Sequence, residues 1–558
     1  MMRALHSVGR LYLSTFALNA LELSDQAGYN PLPNRSHQTV PNLRQGIVHS
    51  LPSTMGIPGY WKLVDQASEM HSLKVLASQE GRRGPSGMRV GIDACLWITQ
   101  CQAVFHKPIH AQSGRNPELR ALFFKAAAIS NAGLDAKFVF DGKHRPSQKR
   151  NKRVKAKPHW LVEEFMQMIT FFGFDYYTAP GEAEAELARL NRLGEIDAVL
   201  TDDGDAALFG ARCIIRSRDK KDKDKITVYN AEAIARHPEV GLTQGGILLL
   251  AVLGGGDYDT AGLPDCGMGT AHALARCGYG DSLLLAAQTL CVDDLEQFLV
   301  GWRQEIRTEL ATNSQGFMKS KRKALSAKIP DDFPSTKILK LYVNPTTSWS
   351  DGFLPPNTIS WNVKLPRLPE LGRFCHSKFG WKPLDIVNKF KKHIFPGMCI
   401  RRLNMPLDPQ QELYNHVVLG RINDEHPGLS SFLAIVAAKE VRPSLSVYKM
   451  KISIATSTRR ALSLLRAPAA AAGSPSATIM LWVPAKSVER YFPLLAARFN
   501  GKPIIAPALA RAARVVMPPP QPQRAAHSEV IDLTIDDAEG EGDDEEVMGG
   551  DIIDLTRD

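Results

Sequence analysis

The chain has few of the features that mark secreted, zinc-binding or membrane proteins. Its 558 residues include only eight cysteines, and no two of them form a C-x-x-C pair. This pattern favours free core thiols in a reducing compartment over a disulfide framework or a zinc site. No apolar stretch reaches the length that a transmembrane helix needs. The sequence therefore predicts a protein without a membrane partner.

Positive and negative charge are unevenly distributed along the chain. The formal net charge is +10, but the segment from His527 to Asp558 contains 13 acidic residues and one arginine. The remaining 526 residues therefore carry +22. A basic body of this kind is typical of a protein that binds nucleic acid. The acidic tail has few aromatic residues, and we expect it to be disordered.

Acidic residues recur at the ends of apolar runs. The runs MRVGID, AKFVFD and DAVL are short and rich in Val, Ile, Leu and Phe, so they predict buried strands of a parallel sheet. Ligands of such sheets bind beyond the carboxyl ends of the strands. The candidate residues at that edge are Asp93, Asp141, Glu182, Glu184, Asp203, Asp205 and Asp257.

Seven carboxylates at one edge of a sheet cannot all stay ionised unless positive charge lies between them. Magnesium is the natural candidate, because hard divalent cations take oxygen ligands. Two such ions about 4 Å apart are the usual apparatus for phosphodiester cleavage. The sequence thus points to a metal-dependent enzyme that acts on nucleic acid.

Each acidic residue also has a purely structural interpretation. An Asp after a strand is often a helix cap or a turn residue. Glu182 and Glu184 follow Pro180-Gly181 and suit the first turn of a helix, where the dipole favours negative charge. We expect Glu186, further into that helix, to be solvated. The recurrence of the pattern and the tight turn Asp203-Gly204-Asp205 favour the metal site.

A basic segment follows the strand that ends at Asp141. Residues 143–157 contain eight Lys and Arg residues and no acid. Such a run is often only solvated, but its position after a candidate ligand favours phosphate binding. The predicted contacts are Lys149, Arg150, Lys152 and Arg153. The runs KRNKR and KSKRK also suit nuclear localisation signals, so we expect a nuclear protein.

The glycine-rich run GLPDCGMG lies between two predicted helices, Leu242–Leu253 and Gly269–Cys277. Gly262, Gly267 and Gly269 would let backbone amides approach a phosphate closely, aided by the N-terminus of the second helix. An ordinary glycine turn is the alternative interpretation.

Several blocks together resemble the XPG/flap-endonuclease family. They are MGIPGYW, GIDACLWI, FVFDGKHRP, APGEAEAELARL, LTDDGDAALFG and LGGGDYDTAGLPDCGMGTA, and they occur in the family's order over about 220 residues. The resemblance implies an α/β fold, with a PIN-like parallel sheet flanked by helices and a helix–two-turn–helix element. It also implies that the seven carboxylates hold two Mg²⁺ ions, for which Mn²⁺ substitutes. Lys143 would then assist catalysis, and a K⁺ ion would sit in the helix–two-turn–helix turn.

Within that family, the short segment between Asp141 and Glu182 is similar to the Holliday-junction resolvases of the GEN/Yen group, as are residues 374–397. This branch implies cleavage of branched DNA, namely four-way junctions and 5′-flaps, by a dimer on the junction. A 5′-flap endonuclease or 5′-exonuclease on the same scaffold is the first alternative. A non-catalytic scaffold that binds DNA or reads SUMO is the second, and the seven retained acids argue against it.

The resemblance divides the chain into five parts. Residues 1–54 lie outside the family pattern, as a transit peptide or an artefact of gene prediction. A nuclease core over 55–340 and a linker with a helical wrap over 341–400 follow. A small chromodomain-like β+α module over 401–502 precedes the disordered acidic tail, 503–558. The tail contains two motifs that resemble SUMO-interacting motifs, with apolar residues Val530, Ile531, Leu533, Ile552, Ile553 and Leu555.

Overall fold

The computed structural model describes residues 56–78, 87–105, 114–154, 159–217, 224–405, 432–441, 445–465 and 477–501. The N-terminal extension and the two tail motifs lie outside the described residues, so the predictions made for them stay predictions. Among the helices that are described, none is long and apolar enough to cross a bilayer.

A seven-stranded sheet forms the centre of the nuclease-like part. Its strand order is β1-β9-β8-β7-β2-β3-β6. Strands β8, β7, β2, β3 and β6 pair in parallel, whereas β9 and β1 pair in antiparallel fashion at one side. The strands are β1 Glu69–Ser72, β2 Arg89–Asp93, β3 Asp135–Phe140, β6 Asp175–Thr178, β7 Ala198–Leu200, β8 Cys213–Arg216 and β9 Lys225–Asn230.

The three apolar runs identified in the sequence form the middle of this sheet. They become β2, β3 and β7, which are neighbours in parallel register, so the predicted parallel sheet is confirmed. Every residue of β3 is buried, as expected for a strand covered by helices on both faces. Because parallel strands end at the same edge, the acidic residues after them are brought together.

Helices cover both faces of the sheet. In chain order they are α1 Tyr60–Val64, α2 Leu73–Ser78, α3 Ala94–Phe105, α4 Pro117–Ala132, α5 Leu161–Phe171, α6 Ala183–Leu193, α7 Asp205–Leu208, α8 Ala231–Arg236, α9 Gln244–Gly254, α10 Met268–Arg276, α11 Tyr279–Thr289, α12 Val292–Thr312, α13 Lys323–Lys328, α14 Thr336–Val343, α15 Leu368–Phe379, α16 Pro383–His393 and α17 Phe395–Leu403. Helices α9 and α10 flank the glycine-rich turn, close to the predicted bounds. Residues 344–367 run without a long helix across the nuclease-like part.

A second, three-stranded antiparallel sheet follows in the order β10-β11-β12. Its elements are β10 Phe432–Val441, β11 Leu445–Ser453, α18 Ala455–Leu462, β12 Thr478–Pro484, α19 Ala485–Tyr491 and α20 Pro493–Phe499. Met450, Ile452 and Val483 are fully buried between this sheet and its helices. The expected strands and the following helix are therefore present. The assignment of this module as chromodomain-like stays a prediction.

Helix α15 approaches α18 very closely. A Cβ atom at Gly372 would lie 2.0 Å from the carbonyl oxygen of Ala461, so only glycine fits there. The side chain of Tyr491 donates a hydrogen bond to the carbonyl of Met405, at the end of the α17 segment. These contacts pack the small sheet's helices against α15 and α17.

Arg401 ties α17 to the nuclease-like part. Its side chain is 1% exposed, and its two terminal nitrogens donate hydrogen bonds of 2.7 Å to the carbonyls of Phe172 and Gly173. The guanidinium also lies 4.5 Å from the ring centre of Phe174. Burial lowers the pKa of Arg401 to about 10, which measures the cost of placing this charge in the interior.

Replacing Arg401 by Leu should therefore lower the free energy of unfolding by about 2–4 kcal/mol, since two buried carbonyls lose their donors. Chemical denaturation followed by circular dichroism measures this change. Arg373→Leu, on an exposed position of the neighbouring helix α15, is the control and should change stability by less than about 0.5 kcal/mol. Equal effects of the two substitutions would contradict the anchoring role of Arg401.

Candidate active site

Carboxylates from five elements meet beyond the carboxyl ends of the parallel strands. Asp93 ends β2, Asp203 and Asp205 follow β7, and Asp257 follows α9; all four are at most 3% exposed. Glu182 is the N-cap of α6, and Glu184 lies in its first turn, as predicted. Asp141 follows β3 and is more exposed than the others.

A short β-hairpin with a two-residue turn places positive charge among these carboxylates. Strands β4 Gln148–Lys149 and β5 Lys152–Arg153 pair in antiparallel fashion. Lys149 Nζ lies 2.8 Å from Glu182 Oε1 and 3.0 Å from Asp257 Oδ2. Arg150 donates from Nε to Asp257 Oδ1 at 2.6 Å and from its terminal nitrogen to Asp257 Oδ2 at 3.0 Å. Two cations thus neutralise part of the buried negative charge.

The turn of this hairpin is conformationally costly. Arg150 and Asn151 have φ angles of 55° and 57°, the left-handed region that non-glycine residues rarely adopt. Both residues at positive φ form the tight turn that suits a two-residue hairpin loop. The Arg150 amide bonds to the Asp257 carbonyl at 2.6 Å, and the Asn151 side chain bonds to Thr260 at 2.7 Å. Tertiary contacts therefore hold the turn over the carboxylates.

The pKa values of the carboxylates differ because the hairpin cations neutralise some of them and not others. Burial raises the pKa of Asp93 well above its usual range, and Glu184 and Asp141 raise it further. Burial and the neighbouring Asp203 likewise raise the pKa of Asp205. Burial also raises the pKa of Asp257, but Lys149 and Arg150 outweigh it and hold the value below normal. The site therefore has more negative charge than the hairpin satisfies.

These residues suit hard divalent cations. The donor set consists of carboxylate oxygens, which Mg²⁺ and Mn²⁺ prefer. Asp205 Oδ1 is buried and has no hydrogen-bond partner among the described residues, so it is available as a ligand. As the described side chains stand, no three acidic, histidine or cysteine groups are arranged to hold a metal ion. Lys149 and Arg150 are bonded to Glu182 and Asp257, whose oxygens a metal ion would also use.

Four further residues shape the site; no role was predicted for them, although all four lie in the blocks that resemble the family. Gly56 has a φ of 74°, and a Cβ atom there would lie 2.7 Å from Asp203 Oδ1. A Cβ atom at Gly142 would lie 1.9 Å from the Ala179 carbonyl, so glycine lets the loop after β3 approach the start of α6. Arg145 pairs with Asp141 at 2.7 Å, and Tyr258 donates a hydrogen bond to Glu182.

The prediction that Glu186 is solvated is wrong. Its side chain is 0% exposed, accepts a hydrogen bond of 2.8 Å from the Tyr177 hydroxyl, and accepts another of 2.9 Å from the Ser348 amide. Residues 344–350 cover this face of α6, which the helical position alone does not reveal. Glu186 therefore links α6 to that segment.

The other predicted residues lie at the surface. Lys143 is exposed in a cleft beside Asp141 and does not join the carboxylate cluster, so its catalytic role stays a prediction. Lys152 and Arg153 are exposed on β5. Cβ atoms at Gly267 and Gly269 would meet nothing within 4 Å, which leaves their backbone open to a ligand. Gly262 instead packs against Leu253 and Gly255, which by itself explains the glycine.

Comparisons with known proteins agree with this geometry. The XPG I-region family matches residues 173–257, the stretch that contains five of the seven carboxylates. The mouse protein described as flap endonuclease GEN homolog 1 is 29% identical over 249 residues, covering 41% of this chain and 26% of its own length. The rice flap endonuclease GEN-like 1 is 31% identical over 263 residues, covering 41% of this chain and 39% of its own length.

The chain is therefore similar to the XPG family, whose I-region model matches it within the nuclease-like part. Its alignments span only about a quarter to two fifths of these two curated relatives. A solved structure described as the Holliday junction-resolving enzyme GEN1 with product DNA and Mg²⁺ is 27% identical, with a TM-score of 0.59. That match covers 80% of this chain and 99% of the solved one. The predicted family and its GEN branch are therefore confirmed.

The hairpin geometry predicts competition between its cations and a metal ion. Replacing Lys149 by Met should raise the affinity of the DNA-free protein for Mn²⁺, because a cation is removed from Glu182 and Asp257 while the oxygens remain. Isothermal titration calorimetry with Mn²⁺ measures this affinity, and we expect at least a threefold increase.

Lys152→Met, on the exposed strand of the same hairpin, is the matched control and should leave Mn²⁺ affinity unchanged. If Lys149→Met binds Mn²⁺ no better than the wild-type protein, Lys149 does not occupy the place of a metal.

Proposed function

We propose that this chain is a magnesium-dependent endonuclease that recognises the structure of branched DNA, with four-way Holliday junctions as its principal substrate. The observation that carries the proposal is the buried carboxylate cluster with a basic hairpin inserted into it. The cluster needs cations, and it lies next to a basic segment in a chain of net charge +10. Such a site suits the cleavage of a polyanion. The similarity to GEN proteins, one of them solved with product DNA and Mg²⁺, supports this reaction.

The carboxylates divide into two groups by position. Asp93, Asp141 and Glu184 lie together, since the last two raise the pKa of Asp93, and Glu184 also raises the pKa of Asp203 and so lies between the two groups. Asp203, Asp205 and Asp257 form the second group around Arg150. Glu182 lies at the hairpin, bonded to Lys149 and Tyr258. Two groups of this kind suit two metal ions.

Two bound Mg²⁺ ions would supply an ionised water and stabilise the charge on the scissile phosphate. The chain's own residues hold the carboxylates in place: the Leu96 amide donates to Asp93 Oδ1 at 2.8 Å, and the Ala183 amide donates to Asp141 Oδ1 at 2.9 Å. Lys149 and Arg150, which now neutralise Glu182 and Asp257, would then be free to contact the phosphate. Lys143, exposed beside Asp141, would contact a neighbouring phosphate.

Binding of the duplex away from the cut is assigned to the turn between α9 and α10. The open backbone at Gly267 and Gly269 lies at the N-terminus of α10, where amide groups and the helix dipole favour phosphate. A K⁺ ion in this turn is proposed from the family resemblance; related GEN-1 structures were solved with potassium and with caesium.

The partners and location follow from the same proposal. A resolvase cuts two strands symmetrically, so we propose that two copies assemble on one junction. The basic runs favour a nuclear location. SUMO binding by the tail motifs and DNA binding by the small β10–β12 sheet are proposed from sequence, and the tail motifs lie outside the described residues.

Cleavage of labelled four-way junction, 5′-flap and nicked duplex, with Mg²⁺ and with EDTA, tests the proposal. We expect paired, symmetric cuts in the junction that require Mg²⁺. Preferential cutting of the flap would instead identify the flap endonuclease of the first alternative. Absence of Mg²⁺-dependent cutting on all three substrates would leave the non-catalytic scaffold.

Asp93→Ala and Glu182→Ala should each lower the cleavage rate by roughly 10² or more, since each removes an electrostatic contribution in a buried site. Junction binding should remain, because the basic surface is intact. Asp202→Ala is the matched control: Asp202 directly precedes the Asp203 turn, but its half-exposed side chain pairs with Arg216. Near wild-type cleavage by either site variant would refute the assignment.

The exposed strand of the hairpin provides a test of DNA binding. Reversing charge with Lys152→Glu and Arg153→Glu should weaken binding to every branched DNA alike. The slope of log K against log salt should fall by roughly one unit per lost phosphate contact. Fluorescence anisotropy at several salt concentrations measures both effects. An unchanged slope would show that this strand is only solvated.

A further inference from the structure

A small cavity on the second half of α6 has a basic lining without any acid. It has a volume of about 270 Å³ and lies between α6, the start of α9, α11 and residues 342–350. Arg189 and Arg192 line it from α6, Gln244 from α9, and Ser350 from the covering segment. None of the described side chains that line it is Asp or Glu. The cavity therefore presents positive charge and neutral hydrogen-bonding groups beside apolar side chains, with no acid among its described lining residues.

The two arginines have unused donors. The Nε atoms of Arg189 and Arg192 are both buried and form no hydrogen bond within the part of the chain that the structure describes. The Arg189 guanidinium lies 5.9 Å from the ring centre of Trp349, which also lines the cavity. Buried donors without partners usually cost about 1–3 kcal/mol each. The two guanidinium groups therefore have hydrogen-bonding capacity that the described residues leave unused.

A third arginine increases the positive charge. Burial lowers the pKa of Arg192, and the nearby charges of Arg189 and Arg212 lower it further. Arg150 offers a contrast within the same protein, because it meets the two carboxylate oxygens of Asp257. The arginines at the cavity have no such acid among the described residues, so an anion from solution would stabilise them.

We propose that this cavity binds the phosphate group of a phosphate monoester, held by Arg189 and Arg192. The planar guanidinium matches phosphate oxygens through paired hydrogen bonds. Gln244 and Ser350 add neutral groups that can donate hydrogen bonds to an anion. The volume is below the roughly 300–1,000 Å³ of typical small-molecule pockets, so it suits one phosphate group and little more of the ligand.

The site is separate from the carboxylate cluster. Arg189 follows Glu184 by five residues on α6, which is roughly 7.5 Å along the helix axis. No candidate metal ligand lines the cavity. The covering segment is bonded to the same helix through the Ser348 amide and Glu186. Phosphate in the cavity would thus fasten residues 342–350 to the helix that begins with the carboxylates.

The test uses the full chain in EDTA, so its result does not depend on nuclease activity. Isothermal titration calorimetry with inorganic phosphate, at constant ionic strength, should show one site per chain. O-phosphoserine and a nucleoside 5′-monophosphate, titrated in the same way, distinguish an amino-acid source of the group from a nucleotide source. Binding of either one supports a monoester site, whereas failure of both would overturn it.

Two sets of variants locate the binding. Arg189→Gln with Arg192→Gln should weaken phosphate binding at least tenfold, while the control Arg236→Gln, on the exposed face of α8, should not change it. Ser350→Asp places a carboxylate inside the cavity. It should also weaken phosphate binding and should raise the melting temperature in phosphate-free buffer. Full phosphate binding by either cavity variant would overturn the proposal, and the Ser350→Asp result remains informative if the double variant does not fold.

Discussion

Burying negative charge at the edge of a parallel sheet is the constraint on which this structure depends. The topology brings Asp93, Asp203 and Asp205 to one place, and each is at most 3% exposed. A buried carboxylate must be paired with a cation or take up a proton; otherwise it destabilises the folded protein. The protein supplies two cations through a hairpin whose turn adopts a costly backbone conformation. The strain at Arg150 is thus a consequence of the charge that the sheet gathers.

The parts of the fold and site that the sequence predicted are those with local causes. A buried parallel strand is a short apolar run, and the residue after it lies at the ligand-binding edge, so Asp93, Asp141 and Asp203 were identifiable. The proline and glycine before Glu182 mark a helix start. Helices α9 and α10 begin and end within about two residues of the predicted bounds, because glycine and capping signals define them locally.

The features that the sequence did not predict depend on residues far apart in the chain. Glu186 is buried because residue 348 returns across α6, and a helical pattern cannot show which segment will cover a given face. Arg401 is buried because carbonyls more than 200 positions earlier, at Phe172 and Gly173, accept its hydrogen bonds. The pairing of Lys149 with Glu182 and Asp257 likewise depends on tertiary placement. Composition identified a basic segment but not which of its members face acids.

The hairpin also has a thermodynamic consequence for the proposed nuclease. In the described conformation Lys149 and Arg150 are bonded to carboxylates, so they are not free to contact DNA. Metal ions that replace them at Glu182 and Asp257 would release two cations towards a phosphate backbone. By linkage, if bound metal raises the affinity for DNA by a given factor, bound DNA must raise the affinity for metal by the same factor. Neither ligand alone would reach its full affinity. If metal bound without DNA, the released Lys149 and Arg150 would have no anionic partner. If these two side chains turned to DNA without metal, Glu182 and Asp257 would lose their cations. In the proposed nuclease, the same two side chains would therefore couple the binding of metal to the binding of DNA.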